Sequence, residues 1–155
     1  MSEHKISIDW KRGQADFVYQ SYSRDHTITF SPTGTVCGSA APEFRGNAQC
    51  LNPEQAFISA MSSCHMLTFL AIAAKQGFTV DAYHDEATGM LGKNPDNVTA
   101  VVRISLKPVV AFSGPRVPTD EQFSIMHQQA HEQCFIANSV AKCVEVIVEA
   151  TRQTV

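Results

Sequence analysis

The chain has 155 residues, 44% of them hydrophobic and 17% charged, which is enough for one globular domain with a buried core and leaves no room for a second. A formal charge of -3 and a pI near 6.0, with no Lys/Arg cluster, argue against nucleic acid as a partner. The stretch MSEHKISIDWKRG carries no apolar run behind a basic one, so no signal peptide is expected and the cytoplasm is the expected compartment.

Residues 5–11, 16–22 and 26–30 alternate or run β-branched and aromatic (Ile6, Ile8, Trp10; Phe17, Tyr19; Thr27, Ile28, Thr29, Phe30), with turns at Arg12-Gly13 and Ser23 to Asp25. They predict an antiparallel meander. Pro32-Thr33-Gly34 turns the chain again, and residues 38–51 are loop by their Gly, Pro and Asn. A helix then begins at Asn52 as N-cap, with Pro53 in the first turn and Glu54 where the helix dipole favours a carboxylate. It ends at Gln76-Gly77. Strands at about 78–91 and 97–112 flank Gly92 to Asn97 and read as one hairpin of two long arms. Thr119 with Gln122 makes a capping box for a second helix carrying Phe123, Met126, Ala130 and Cys134 on one side. The closing segment 143–150 alternates Val144, Val146 and Val148 against Glu145 and Glu149, a strand with one wet face. The fold class is therefore α+β, in a single domain over residues 1–155.

The first helix contains an uncharged run of 20 residues, Gln55 to Ala74, as long as a bilayer span. Ser59, Ser62, Ser63, His65 and Thr68 are scattered round it and no basic or aromatic flanks mark an interface, so no membrane partner is expected. A helix apolar nearly all round is instead a central one, packed by other elements on most sides.

Five cysteines (37, 50, 64, 134 and 143) are an odd number. In a reducing compartment this argues against a disulfide scaffold and leaves catalysis, metal binding or packing. Cys64 shares a helical face with Phe57, Ala60, Met61, Leu67, Thr68 and Ala71, and Cys134 closes the stripe of the second helix. Two thiols brought into one core point toward redox chemistry. Cys50 lies in a loop with no evident partner, while Cys37 and Cys143 read as strand packing. A reactive thiol needs its thiolate, yet Cys64 stands about 18 Å beyond Asn52, past the reach of the helix dipole. No Lys or Arg occurs between Glu54 and Lys75, so the activating cation must come from Arg12, Arg24 or Arg45; Arg24, in the turn YSRDH, is favoured.

The run NPEQAFISAMSSCHMLTFLA resembles the peroxidatic-cysteine helix of the OsmC/Ohr family of osmotically inducible and organic-hydroperoxide-resistance proteins. In that family an Asn-Pro-Glu helix start is followed, ten residues after the Glu, by the reactive cysteine; Glu54 and Cys64 keep the interval. Cys134 in HEQCFIANSVA matches the family's second cysteine, and SSCHML and YSRDH look most like the OsmC-like branch. The second cysteine is followed by Pro in many members and here by Phe135-Ile136. The resemblance covers essentially the whole chain. It implies an OsmC-like fold with antiparallel strands around a central buried helix, and an intertwined homodimer. It also implies a two-cysteine thiol peroxidase reducing organic, and hydrogen, peroxides. Cys64 would be the peroxidatic thiol and Cys134 the resolving one, with an Arg24–Glu54 pair stabilising the thiolate. A dithiol reductant, either a dihydrolipoamide system or thioredoxin, would complete the cycle without a cofactor. Phe57, Met61, Leu67 and Met66 are the candidates for an apolar substrate cavity.

A different chemistry is open to His127, His131 and Cys134, which fall at i, i+4 and i+7 on one helical face, an acceptable spacing for a zinc ion. A non-enzymatic stress-related binding protein of the same fold is a further alternative. His65 beside Cys64 suggests a Cys-His hydrolase less well, since neighbours in a helix point about 100° apart.

Overall fold

The computed structural model describes residues 2–30, 32, 34–140 and 142–154, which fall into two compact units, Met1–Ala56 and Phe57–Val155. In the smaller unit, β1 (Ser7–Asp9), β2 (His26–Phe30) and β3 (Gly34–Gly38) form an antiparallel meander, with Ile8 opposite Ile28 and Thr27 opposite Cys37. Thr33, in the predicted turn before β3, lies outside the described residues. The strand expected over 16–22 is instead a series of turns. Its aromatic residues satisfy themselves locally: Phe17 and Tyr22 gather on Trp10 with ring centroids 5.9 and 6.0 Å away. The Arg24 guanidinium donates to the carbonyls of Tyr19 and Tyr22, taking acceptors that a strand would have offered to a neighbour. In the loop after β3, Gly46 is required by a close approach, because a Cβ there would stand 1.6 Å from the Ala40 carbonyl oxygen.

Helix α1 (Pro53–Lys75) starts as expected, and Gln55 closes a reciprocal cap. The Gln55 N–H donates to Asn52 Oδ1 at 2.7 Å and the Asn52 N–H to Gln55 Oε1 at 3.1 Å. It ends in a Schellman arrangement on Gly77, whose φ of 77° only glycine adopts freely, with the Phe78 N–H returning to the Ala73 carbonyl. Along the helix one stripe is buried, Met61, His65, Phe69, Ile72 and Ala73, and the opposite stripe, including Ser63, Leu67, Ala71 and Ala74, is exposed. The expectation of cover on most sides is corrected: within the chain α1 packs on one side. The run reads as apolar all round because Ala and Ser, rather than charged residues, populate its outer face. By length and composition alone α1 is long and apolar enough to cross a membrane.

The predicted hairpin is present, with each arm bent into two strands. β4 (Thr79–Asp85) pairs with β7 (Pro108–Ser113), and β5 (Thr88–Lys93) with β6 (Thr99–Leu106). Asp85 opposite Pro108 and Thr88 opposite Ser105 carry the pairing across the bend. At the tip, Asn94 Oδ1 accepts from the N–H groups of Asp96 and Val98, and Asn97 takes φ 59°.

Helix α2 (Asp120–Gln133) has the predicted capping box at Thr119 and Gln122. Cys134, in extended conformation, breaks the path before a short α3 (Phe135–Val140). The strand expected over 143–150 becomes β8 (Glu145–Val148) and β9 (Thr151–Thr154), and Cys143 is exposed in the preceding turn rather than packed in a strand. β8 lies parallel to β6 and β9 parallel to β7, so one chain end completes two sheets. These pairings give three-stranded sheets ordered β4-β7-β9 and β5-β6-β8, each with one antiparallel and one parallel pair.

Two cores result in the larger unit. The first joins Phe69, Ile72, Ala73, Phe78, Val110, Phe112, Phe123, Met126 and Ala130; the second joins Met61, Ile104, Leu106, Cys134, Ala137 and Val144. Phe69 touches the rings of Tyr83, Phe112, Phe123 and His127 at centroid distances of 4.2–6.4 Å. Phe69→Ala is expected to cost about 3–5 kcal/mol, read as a lowered urea midpoint with an unchanged slope; a loss below about 1 kcal/mol would show that this ring is not a keystone.

Candidate active site

Cys64 stands at the border between the buried and exposed stripes of α1, partly accessible. Cys134 is completely buried, at 0% exposure, because the break between α2 and α3 turns it into the second core. Cys64 packs against the core that contains Cys134, close enough for each thiol to act on the other. The Cys134 thiol is pushed up to about 11, first by burial and then by the neighbouring Cys64 thiol, while the N–H of Ala137, 3.4 Å from its sulfur, acts in the other direction. At neutral pH Cys134 therefore holds its proton. The Thr68 hydroxyl donates to the Cys64 carbonyl at 2.8 Å.

The other sequence-predicted residues are distributed differently. Phe57 packs against the second core and Met61 is fully inside it. Leu67 lies 60% exposed, on the outer stripe rather than on the face of Met61, since three residues carry it about 60° further round from Cys64. Met66 is half-buried. Glu54 is in the first turn, with Oε2 buried and without a hydrogen-bond partner. Among the described residues no ion pair joins Arg24 to Glu54. Arg24 instead lies over the Tyr22 ring, 3.9 Å from its centroid, and 4.9 Å from that of Tyr19. There it lines an apolar cavity of about 430 Å³ with Ile8, Trp10, Phe17, Tyr22 and His26. Arg12 donates to the Ala15 carbonyl, and Arg45 lies 5.8 Å from the Tyr19 ring centroid.

Two further expectations about cysteine are corrected. Cys37 and Cys50 form a disulfide, with Cα atoms 5.0 Å apart. The loop returns to the end of β3, where the Leu51 N–H donates to the Cys37 carbonyl and the Ser39 N–H to the Leu51 carbonyl, and this brings the two side chains together. Cys50 thus has a partner, and Cys37 is not a packing residue.

Sequence reasoning missed a buried imidazole pair. His65 and His127 are 1% and 5% exposed, with His65 Nε2 and His127 Nδ1 3.0 Å apart and His127 stacked on Phe69. The signal was available: Met61 and Phe69 stand four residues either side of His65, which makes it, rather than Cys64, the centre of the buried stripe. Burial depresses both histidines, His65 to about 4, with His131 adding and Asp85 opposing, and His127 to about 3, with His65 adding. Asp85 is itself occupied, accepting from the Ser62 hydroxyl and the Lys107 N–H. The zinc arrangement weighed as an alternative at His127, His131 and Cys134 does not assemble among the described residues. His127 is turned to His65, Cys134 to Cys64, and among the described residues no three His, Cys, Asp or Glu side chains converge on a metal position.

A family model described as OsmC-like protein matches residues 46–149, and the chain belongs to that family. It is 45% identical to an OsmC-like protein of unknown function from Vibrio cholerae, with a TM-score of 0.92 over 97% of this chain and 99% of that one. The fold is shared at 14% identity with an organic hydroperoxide resistance protein OsmC from Legionella pneumophila, TM-score 0.68 over 97% and 99% of the two chains. It is also shared at 19% identity with the organic hydroperoxide resistance protein OhrB of Bacillus subtilis, TM-score 0.64 over 96% and 98%. No curated protein matches.

The histidine pair has a pH consequence. Both folded-state values lie below the unfolded value of about 6.5, so the neutral pair stabilises fully above pH ~6.5 and its contribution falls as pH drops toward ~3. The unfolding free energy from urea titrations should fall between pH 7 and pH 4 by an amount on the order of a few kcal/mol, and His127→Phe should flatten that slope; a profile identical in the variant would discard the assignment.

Proposed function

We propose that the chain is a thiol-dependent peroxidase for organic hydroperoxides, consistent with a redox or peroxide-resistance role for its family. The observation that carries the reading is the contact between a partly exposed Cys64 thiol and a fully buried, protonated Cys134 thiol. The asymmetry sorts their roles. Only Cys64 can be met by a substrate from outside, and only Cys134 is held in reserve beside it. The Cys64 thiolate attacks the distal peroxide oxygen, the O–O bond breaks, and the departing alkoxide takes a proton to leave as alcohol. Cys64 is then a sulfenic acid. Cys134 attacks its sulfur, water leaves, and a Cys64–Cys134 disulfide stores the two-electron oxidation. A dithiol, either dihydrolipoamide or that of thioredoxin, returns both thiols.

Resolution asks little of the fold, because Cys64 already packs against the core that holds Cys134. Cys134 sits at the junction of α2 and α3, where its N–H donates to the His131 carbonyl and its carbonyl accepts from the Asn138 N–H, and closing the disulfide requires Cα atoms within ~4.4–6.8 Å. Arg24 and Glu54 enter as the residues the family resemblance assigns to charge stabilisation. We also propose that a second copy of the chain covers the outer stripe of α1. Its support is the row Ser63, Leu67, Ala71 and Ala74, with a large apolar side chain at its centre and no charge along it.

Cys64→Ser should abolish turnover of cumene hydroperoxide. Cys134→Ser should react once, leaving a Cys64 sulfenic acid trapped by dimedone and no intramolecular disulfide by mass. Undiminished multiple turnover in either variant rejects the two-cysteine cycle. Arg24→Lys, which keeps charge but loses the planar fork, should lower kcat/KM by about tenfold or more. By light scattering the native chain should be a dimer and Leu67→Glu a monomer; a native monomer with full activity removes the second copy from the scheme.

A further inference from the structure

We infer that Cys37 and Cys50 form a second dithiol/disulfide couple, separate from Cys64 and Cys134, whose oxidised form holds the loop 39–49 closed. Both residues belong to the smaller unit. Cys37 is exposed and Cys50 half-buried, so a thiolate has an open path to the Cys37 sulfur, in contrast with the enclosed bonds that resist reduction. The bond spans a sequence separation of 13, and what lies inside that loop gives it a consequence. The buried Ser39 hydroxyl donates to Asp25 Oδ1 at 2.8 Å and accepts from the Asn47 N–H at 3.0 Å, while Asn47 Nδ2 donates to Asp25 Oδ2 at 3.1 Å. Asp25 follows Arg24 directly, and Cys50 stands two residues before Asn52, which caps α1. The disulfide therefore braces, from one side, the backbone that carries Arg24 and the start of α1. When it opens, the loop is left to hydrogen bonds: the two Leu51 backbone bonds, the Ser39–Asp25–Asn47 set and the short turns within the loop itself.

The exchange partner is a small dithiol. One of its thiolates attacks Cys37 Sγ, the Cys37–Cys50 bond breaks, and Cys50 leaves as thiolate and takes up a proton. The second thiol then attacks the mixed disulfide, expelling Cys37 as a thiol and leaving the reagent as its cyclic disulfide. Two electrons pass from reagent to protein, and the cyclic disulfide reverses each step.

The test uses the full chain without denaturant, equilibrated across ratios of reduced to oxidised dithiothreitol, with differential alkylation and peptide mapping of each cysteine. Cys37 and Cys50 should gain and lose label together, reversibly, and at their own midpoint whatever Cys64 does. In parallel, trypsin cleavage after Arg45, at the αL position inside the loop, should run about tenfold faster in the reduced protein. Cys37→Ser should be cut at the fast rate at every ratio. A bond that stays closed in excess dithiothreitol, labelling of Cys37 or Cys50 independently, or cleavage after Arg45 that ignores the ratio would each overturn the inference. Peroxide turnover is not part of the readout, so a failure of the peroxidase reading leaves the result interpretable.

Discussion

The buried stripe of α1 is the constraint to which the larger unit is fitted. Met61 belongs to the core that closes over Cys134, and Phe69 to the core that closes over α2 and β7. Eight residues of helix set these two centres about 12 Å apart. His65 falls midway between them, buried, and the polar atoms on it must be answered from a neighbouring element. His127 answers one of them. The register of α2 against α1 is thereby fixed at its middle by a directional bond and on one side by rings packed edge to face, a combination that slides less easily than methyl groups alone.

That registration has a direct bearing on chemistry. Cys134 ends α2, so whatever fixes α2 along α1 also fixes where its thiol arrives. The path runs from His65 and Phe69 through His127 and Phe123 to Ala130 and Cys134. In the proposed cycle, a reserve thiol is useful only if it is both near its partner and out of reach of stray oxidants. Here nearness comes from helix register and seclusion from the break that turns Cys134 inward.

Much of the architecture was legible because its signals are local. Asn52-Pro53, Thr119 with Gln122, Gln76-Gly77 and the Asn94 turn are each decided by a few neighbouring groups, and each is found where the chain announces it. That Cys64 and Cys134 share one core is legible from the family motif more than from helical faces, since the face read for Cys64 centres about 100° from the buried stripe, which belongs to His65. The features that were missed depend on long-range closure. Nothing near Cys50 announces Cys37, because their meeting is made by backbone bonds of Leu51 to the far end of β3. The aromatic run 16–22 has strand composition but no partner edge, and its rings pack on Trp10. The two-sheet ending of the chain follows from a bend in a hairpin whose arms read as continuous.

The bent hairpin carries a further implication, for how the gene can change. Its two arms keep one pairing through the bend, with β4 and β5 on one side and β6 and β7 on the other, and each half has a third strand laid parallel on it. The register shifts once in each half, at Val80/Ala82 and at Met90/Leu91, and a further residue gained or lost in an arm reverses the facing of the side chains beyond it unless another bulge absorbs it. The tip between Lys93 and Thr99 lies outside that ladder. Length variation among relatives should therefore collect at the tip more than in the arms.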